Sequence, residues 1–146
     1  MATMLGTPYE RGKSDEIISR RPKNNAKVDE GLFVADAGNG EFEAMAANRP
    51  ILGVMGAQEI VGGAVVVNGR KVYCQTDDTA APTLGAPVYV VVATGKVTAI
   101  AGSNTQINAT FTEAALKTDG RADNTSWPAA PKTGLSCLQI TFHGGV

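Results

Sequence analysis

Residues 61–102 read VGGAVVVNGRKVYCQTDDTAAPTLGAPVYVVVATGKVTAIAG and hold two valine-rich runs, each leading into a glycine-containing turn. Asn68-Gly69 follows the first run, and this dipeptide readily adopts the two positive φ angles of a type I′ hairpin turn. The pattern therefore predicts a hairpin in which residues 64–67 pair with residues 70–74. Because side chains alternate along a strand, a two-residue loop would place one apolar set on a common face as candidate core. This set is Val65, Val67, Val72 and Cys74.

The second run repeats the plan, with residues 88–93 and 96–100 on either side of Thr94-Gly95. Pairing across this dipeptide puts Val90 and Val92 on one face with Val97 and Ala99, and puts Tyr89 and Val91 on the other with Thr98 and Ile100. A ribbon that is apolar on both faces is usually covered twice, by its own core and by a neighbour. We therefore expect a self-association surface drawn from Tyr89, Val91, Ile100 and Trp127.

Composition supports an all-β fold. The chain has 146 residues, seventeen glycines and a single tryptophan, which suits one domain of short strands and tight turns. We predict a small β-barrel or β-sandwich-like domain of short antiparallel strands and hairpins, with an extended N-terminal arm. The net charge of −1 argues against nucleic acid as a partner, because phosphate binding needs clustered basic residues.

The chain has no apolar run long enough for a membrane span and no secretory signal at its start, so we expect no membrane partner and synthesis in a cytoplasm. Cys74 and Cys137 each lie in a predicted strand. Reduced, buried thiols are favoured over a disulfide in that compartment.

Further strands flank the central stretch. Residues 32–34, 41–45 and 51–56 read as short strands, the second with Phe42 inward, although residues 46–50 would also suit a short helix. Ile107, Ala109 and Phe111 follow at strand spacing, and residues 112–117 resemble a single helical turn capped by Thr112. A long polar loop, about 118–134, carries Trp127, either as a lid over the core or as an interface anchor. The chain closes on a strand at 135–142, with Leu138, Ile140 and Phe142 inward and Cys137, Gln139 and Thr141 outward.

Residues 1–28 differ from the β domain predicted for 29–146. They contain Pro8 and Pro22, and between Glu10 and Val28 they are rich in basic residues, with Ile17-Ile18 as the only strong apolar pair. Such a segment buries itself poorly, so it is either a disordered tail or an arm that orders on a partner. As an arm, its contact residues would be Arg11, Lys13, Ile17, Ile18, Arg20, Arg21 and Lys23. Deletion of residues 1–28 is then expected to leave the β domain folded and to weaken partner binding.

No catalytic, metal or cofactor site can be derived from the sequence. His143 is the only histidine, and no cysteines or carboxylates accompany it at metal-ligand spacing. Asp77-Asp78 lacks the further oxygen ligands that calcium or magnesium needs, so it reads as an exposed acidic turn. No serine lies in a nucleophile-elbow pattern, and no pair of carboxylates is spaced for glycoside hydrolysis.

Four segments together resemble the head-decoration, or capsid cement, proteins of tailed bacteriophages. They are LFV at 32–34, NRPILGVM at 48–55, GAVVV at 63–67 leading through Gly69 to Val72, and LGAPVYV at 84–90 followed by GKV at 95–97. Similar proteins often carry Gly-Asp before the second valine strand, where this chain has Gly85-Ala86-Pro87. The resemblance covers residues 31–100.

The resemblance implies a structural protein without enzyme activity or cofactor. Such a protein, made in the cytoplasm of the host bacterium, would bind the outer surface of the expanded phage head and bridge neighbouring subunits of the major capsid protein. It further implies self-association, with a homotrimer favoured over a dimer.

Two other classes of function stay open on the sequence alone. One is a carbohydrate-binding β-sandwich of a tail fibre or cell-wall-associated protein, which would need an exposed row of aromatic residues. We expect Phe33, Phe42, Phe111 and Phe142 to point inward instead. The other is a small oligomeric enzyme whose site is assembled between subunits.

Overall fold

The computed structural model describes residues 16–59, 62–68, 72–116 and 135–143. These residues form ten strands and one 3₁₀ turn, Lys23–Asn25, which confirms the predicted all-β class. Within the described part of the chain, no helix has the length and apolar character needed to cross a membrane. The strands are β1 (Glu16–Pro22), β2 (Phe33–Gly38), β3 (Glu41–Ala44), β4 (Ile51–Glu59), β5 (Gly62–Asn68), β6 (Val72–Cys74), β7 (Pro87–Val91), β8 (Lys96–Thr98), β9 (Thr105–Leu116) and β10 (Leu135–Phe142).

The first five strands form a closed barrel in the order β1-β3-β2-β4-β5. Neighbouring strands are antiparallel except for β1 and β3, which are parallel and pair only at Arg21 and Pro22. The barrel interior is filled by one apolar cluster, with Ile18 of β1 and Val67 of β5 packed against it. The fully buried members of this cluster are Val34, Phe42, Met55 and Val65.

The other five strands form a second sheet in the order β6-β10-β9-β7-β8. Its two ends meet, because the chain just after β6 makes a parallel bridge from Thr76 to Val97 of β8. The Val97 N–H donates to the carbonyl oxygen of Gln75 at 3.0 Å, and the Thr76 hydroxyl donates to the Val97 carbonyl at 2.8 Å. This junction gives the short edge strand β8 a partner on its outer side.

Residues 33–35 of β2 are buried on both faces of the strand and pack into both hydrophobic clusters. Val34 points into the barrel, whereas Phe33 and Ala35 belong to a larger cluster that lies between the barrel and the second sheet. The Phe33 ring also meets the Phe142 ring edge-on, with centroids 6.3 Å apart and an interplanar angle of 75°. Alternation along a single strand therefore supplies both cores. The second sheet contributes to the larger cluster from all five of its strands, with Val72, Cys74, Val88, Val90, Val97, Ile107, Ala109, Phe111, Leu138, Ile140 and Phe142.

The hairpin predicted across Asn68-Gly69 is wrong. Strand β5 pairs with β4 on one side and β1 on the other, while β6 pairs with β10 of the second sheet. Both edges of β5 are thus occupied and β6 cannot pair with it. The predicted common face is accordingly divided, with Val65 and Val67 in the barrel cluster and Val72 and Cys74 in the larger cluster. The turn preference of a dipeptide is local, whereas the choice of partner strand is made by long-range burial.

The second predicted hairpin forms, but with a longer loop. Strands β7 and β8 are antiparallel with Tyr89 opposite Thr98, Val90 opposite Val97 and Val91 opposite Lys96. Compared with a two-residue loop, this register is displaced by two positions. Because side chains alternate with a period of two, such a displacement leaves Tyr89, Val90, Val91, Val97 and Thr98 on their predicted faces, whereas Ala99, predicted on the core face, lies beyond β8 and is exposed. Val90 and Val97 are fully buried, as expected.

Gly95 brings the β7–β8 loop against β2. It has a φ of +79°, and a Cβ at this position would lie 2.6 Å from the carbonyl oxygen of Phe33. The Phe33 N–H donates to the Gly95 carbonyl at 2.8 Å. A residue without a side chain is therefore required both by the backbone angle and by the close approach of the two segments.

The remaining predictions on local structure have mixed outcomes. The four phenylalanines are buried, and Ile107, Ala109, Leu138, Ile140 and Phe142 point into the larger cluster as predicted. Residues 112–116 continue strand β9, so the predicted helical turn is wrong there. Gln139, predicted to point outward, is only 1% exposed. The polar loop at 118–134 and Trp127 lie outside the described residues.

Candidate interaction surface

Strand β1, which belongs to the predicted arm in sequence, is one of the five strands of the barrel. Five of its residues pair with β5, and Ile18 packs against the barrel cluster. The structure therefore differs from the expectation of a separate arm over residues 16–22, since the apolar residue Ile18 is used to fill the barrel. Arg11 and Lys13 lie outside the described residues.

The other predicted arm residues lie on or beside β1. Ile17 is 50% exposed, and Ser19 and Arg21 on the same side of the strand are also exposed. The Arg21 guanidinium donates to the Asn39 carbonyl at 3.1 Å and the Arg20 guanidinium donates to the carbonyl of Ser19 at the same distance. Lys23 follows in the 3₁₀ turn and is exposed. Ile17 and Arg21 thus lie on the outward side of β1 and Lys23 follows the strand, whereas Arg20 alternates with them, on the side of Ile18, and is partly buried.

The predicted self-association residues lie on the second sheet. Tyr89 and Val91 are half-buried on the same face of the β7–β8 hairpin, and Ile100 follows β8 with 65% of its surface exposed. Leu84, which the sequence analysis did not single out, precedes β7 and is 63% exposed. Because β7 and β8 are antiparallel, Leu84 and Ile100 lie at the same end of this hairpin. The exposure of Leu84 could have been suspected from the sequence, because it is a large apolar residue within the loop at 77–86.

The outer edge of β8 is closed by the acidic turn. The Asp78 carboxylate accepts hydrogen bonds from the Thr98 hydroxyl at 2.8 Å and from the Ala99 N–H at 3.0 Å, and Asp77 pairs with Lys96 at 2.7 Å. These carboxylates therefore hold the loop after β6 against the β8 edge. Among the described residues, no group of three or more metal-ligating side chains is found.

His143 and Arg49, two further ionisable residues on the described surface, have structural partners. The His143 ring lies on the surface with its Nε2 2.8 Å from the Thr110 hydroxyl, and its backbone N–H donates to the Asn108 carbonyl. An open groove of about 480 Å³ runs between residues 48–51 and residues 105–108. Its only charged side chain, Arg49, donates to the Ala44 carbonyl and pairs with Glu43. This geometry assembles no nucleophile, general base or metal-binding set in the described part of the chain.

Glu30 lies where the barrel meets the second sheet. Partial burial, followed by the nearby charge of Asp29, raises the pKa of the Glu30 carboxyl above its usual value. Its carbonyl oxygen accepts a hydrogen bond from the Gln75 side chain at 2.8 Å, and the Gln75 N–H donates to the Gly31 carbonyl. These bonds attach the segment before β2 to the segment after β6.

The chain matches no protein-family model and no curated protein. Among solved structures, it is similar to a chain of the structure described as the capsid of Myoviridae phage XM1. The two share 15% of their residues, with a TM-score of 0.67, and the likeness covers 97% of this chain and 91% of that one. At this level of identity the similarity establishes a shared fold over nearly the whole length of both chains.

Proposed function

We propose that this protein is a non-enzymatic structural component of a tailed-phage virion, which binds the outer surface of the expanded head and cements neighbouring major capsid subunits. The observation that carries the proposal is the similarity to a chain from a phage capsid, which spans almost all of both chains. The four segments that resemble cement proteins support it independently. Synthesis in the host cytoplasm and addition to a finished shell follow from this assignment.

Capsid binding is assigned to the region around β1. Arg20, Arg21 and Lys23 lie there with the exposed Ile17, and Arg11 and Lys13 precede the strand in sequence. Basic residues beside an apolar contact suit a partner that presents acidic groups around an apolar pocket. A protein that binds only the assembled lattice stabilises that lattice by mass action, so many weak copies suffice.

Self-association is assigned to the β7–β8 face, with Tyr89, Val91, Ile100 and Trp127 as the proposed contacts. Ile100 and Leu84 are among the large apolar residues most exposed in the described structure. We retain the homotrimer as the proposed assembly. Introduction of a negative charge at Ile100, as Ile100→Asp, should reduce trimer formation in sedimentation equilibrium without changing the unfolding midpoint.

Carbohydrate binding is not favoured by any observation on the described surface. The phenylalanines are buried, Tyr73 is only 4% exposed, and Tyr89 is half-buried. An aromatic platform for sugar rings is therefore not found among these residues.

Co-sedimentation with undecorated phage heads tests the proposed function. The purified protein is mixed with expanded heads and, separately, with unexpanded precursor shells. Saturable binding to expanded heads at a fixed ratio to the major capsid protein is expected. Absence of binding to both kinds of shell would refute the cement role, and a glycan array would then test the sugar-binding alternative.

A shorter truncation separates the arm from the barrel. Removal of residues 2–14 leaves β1 complete, so we expect the variant to keep its thermal unfolding midpoint and to bind expanded heads more weakly. A variant with Arg20→Gln and Arg21→Gln and an intact N-terminus is the matched control for charge on β1 itself. Unchanged binding of the truncated protein would remove residues 2–14 from the mechanism.

A further inference from the structure

Strand β1 extends beyond the tip of the β2–β3 hairpin. It pairs with β5 from Glu16 to Arg20, whereas its pairing with β3 is limited to Arg21 and Pro22. The hairpin tip, at Asn39 and Gly40, is level with Arg21, whose N–H donates to the Gly40 carbonyl at 3.0 Å. The first part of β1 therefore has a partner strand on only one side among the described residues.

The backbone groups along this open side belong to Ile17 and Ser19. In a strand, the N–H and C=O groups of alternate residues point to the same edge. Arg21 directs its N–H toward β3, so Ile17 and Ser19 direct theirs to that same edge, beyond the hairpin tip. Ile17 is 50% exposed and Ser19 is exposed. A Cβ added to Gly38 or Gly40 would meet no atom within 4 Å, so the described residues leave open space around the hairpin tip that lies next to this edge.

The sequence of β1 is complementary to itself when read antiparallel. In the register centred on Ile18, Ile17 lies opposite Ser19 of a second copy, and Glu16 lies opposite Arg20. The Ile17–Ser19 pairs use the backbone groups that are open. Two Glu16–Arg20 pairs, related by a twofold axis, bring opposite charges together, and such cross-strand pairs stabilise strand pairing.

We propose that the open edge of β1 is a strand-pairing site for β1 of a second copy of this chain. An exposed strand edge is a template for such addition, and twofold symmetry doubles every favourable contact. The Ser19 carbonyl already accepts a bond from Arg20, and a carbonyl oxygen has a second lone pair for the partner strand. The contrast with β8 is direct, because Thr76 and Asp78 satisfy the outer edge of that strand.

This pairing does not depend on the proposed role in a phage head, and it is tested on the protein alone. In the proposed register, Ile17 and Ser19 of the partner form a hydrogen-bonded pair, with Cα atoms about 5.5 Å apart. That spacing lies within the range of a disulfide. Ile17 to Ile17, or Ser19 to Ser19, is a diagonal distance of about 7–8 Å or more, which a disulfide does not span.

The experiment uses two full-length single variants, Ile17→Cys and Ser19→Cys, in a glutathione redox buffer. Non-reducing gels should show a covalent dimer in the mixture of the two variants and at most a several-fold smaller amount with either variant alone. The unmodified chain, treated in the same way, shows how much covalent dimer forms through Cys74 and Cys137. Equal yields in the mixture and in the separate variants would overturn the register, and no cross-linking in any sample would overturn the pairing.

Charge reversal then tests the Glu16–Arg20 pairs. On the cysteine backgrounds, Arg20→Glu should lower the yield of the mixed dimer several-fold, because it places two acidic residues opposite each other. The double variant Glu16→Arg/Arg20→Glu restores opposite charges and should restore the yield. Circular dichroism melting of each variant checks that the barrel is intact. A double variant that melts normally but stays as low as Arg20→Glu would refute the proposed register.

Discussion

Substitution of Gly95 by alanine tests the link between the β7–β8 loop and the barrel. The glycine has a φ of +79°, and the added Cβ would lie 2.6 Å from the Phe33 carbonyl oxygen and 3.2 Å from the Phe33 nitrogen. A left-handed backbone costs a residue with a side chain roughly 1–2 kcal/mol. The clash is with backbone atoms, so the loop must move away and lengthen the bond from the Phe33 N–H to the Gly95 carbonyl.

Loss of that bond leaves a buried N–H without a partner, at a cost of about 1–3 kcal/mol. Together the two effects predict a destabilisation of about 2–5 kcal/mol for Gly95→Ala. This is a large part of the 5–15 kcal/mol or so that stabilises a typical domain. The measurement is urea unfolding followed by circular dichroism, with the free energy of unfolding taken from a linear extrapolation.

Gly85→Ala is the matched control. Gly85 has a similar φ of +86°, but a Cβ there would meet no atom within 4 Å. This variant should therefore lose only the backbone contribution of roughly 1–2 kcal/mol. The difference between the two variants isolates the close approach to Phe33. If both lose the same stability, the contact between the loop and β2 does not constrain Gly95 and the reasoning fails.

Three further predictions concern polar groups of the described structure. Gln139 is buried, and among the described residues its side-chain nitrogen and oxygen have no hydrogen-bond partner. Gln139→Met should therefore raise the free energy of unfolding by about 1–3 kcal/mol; a lower free energy of unfolding in urea would contradict this. Asp78→Ala should lower the free energy of unfolding by about 1–3 kcal/mol, because the buried Thr98 hydroxyl loses its acceptor. The control Asp77→Ala, which removes an exposed ion pair, should change the free energy of unfolding little. The raised pKa of the Glu30 carboxyl means that the folded state binds a proton there more readily than the unfolded state does. Protonation of Glu30 therefore contributes stability that is fully present below the unfolded pKa and is lost as pH rises through the folded pKa. Across the pH range between the unfolded and the folded pKa of Glu30, the thermal unfolding midpoint of Glu30→Gln should lose less with rising pH than that of the unmodified chain. If the two midpoints change with pH in parallel, the raised pKa of Glu30 is refuted.

The two-core arrangement explains why these positions matter. Phe33 and Val34 are adjacent in sequence, yet one packs between the barrel and the second sheet and the other packs inside the barrel. Groups that lock the two sheets together, such as Gly95 with Phe33 and Gln75 with Gly31, act across this shared strand. Changes on either sheet can therefore affect the stability of both cores.

Part of the candidate interaction surface could be predicted from sequence. The alternation around Thr94-Gly95 placed Tyr89 and Val91 on one face, and the structure agrees despite a loop that is longer than expected. Leu84 was missed because a lone apolar residue in a polar loop has no periodicity to indicate its exposure. Ile18 was placed on an arm because its local neighbours are charged, and its burial in the barrel depends on residues far away in sequence.

The sequence by itself determined the all-β class, the position of most strands and the inward faces of Phe42, Phe111 and Leu138. These properties follow from side-chain alternation, which is a local pattern with a period of two. Only the tertiary structure decided the pairing of strands, because edges compete for partners across the whole chain. Thus β5 joins β1 and β4 although Asn68-Gly69 favours a local hairpin. Among the described residues, the same competition leaves one side of Ile17 and Ser19 without a partner strand, and no local pattern in β1 indicates this.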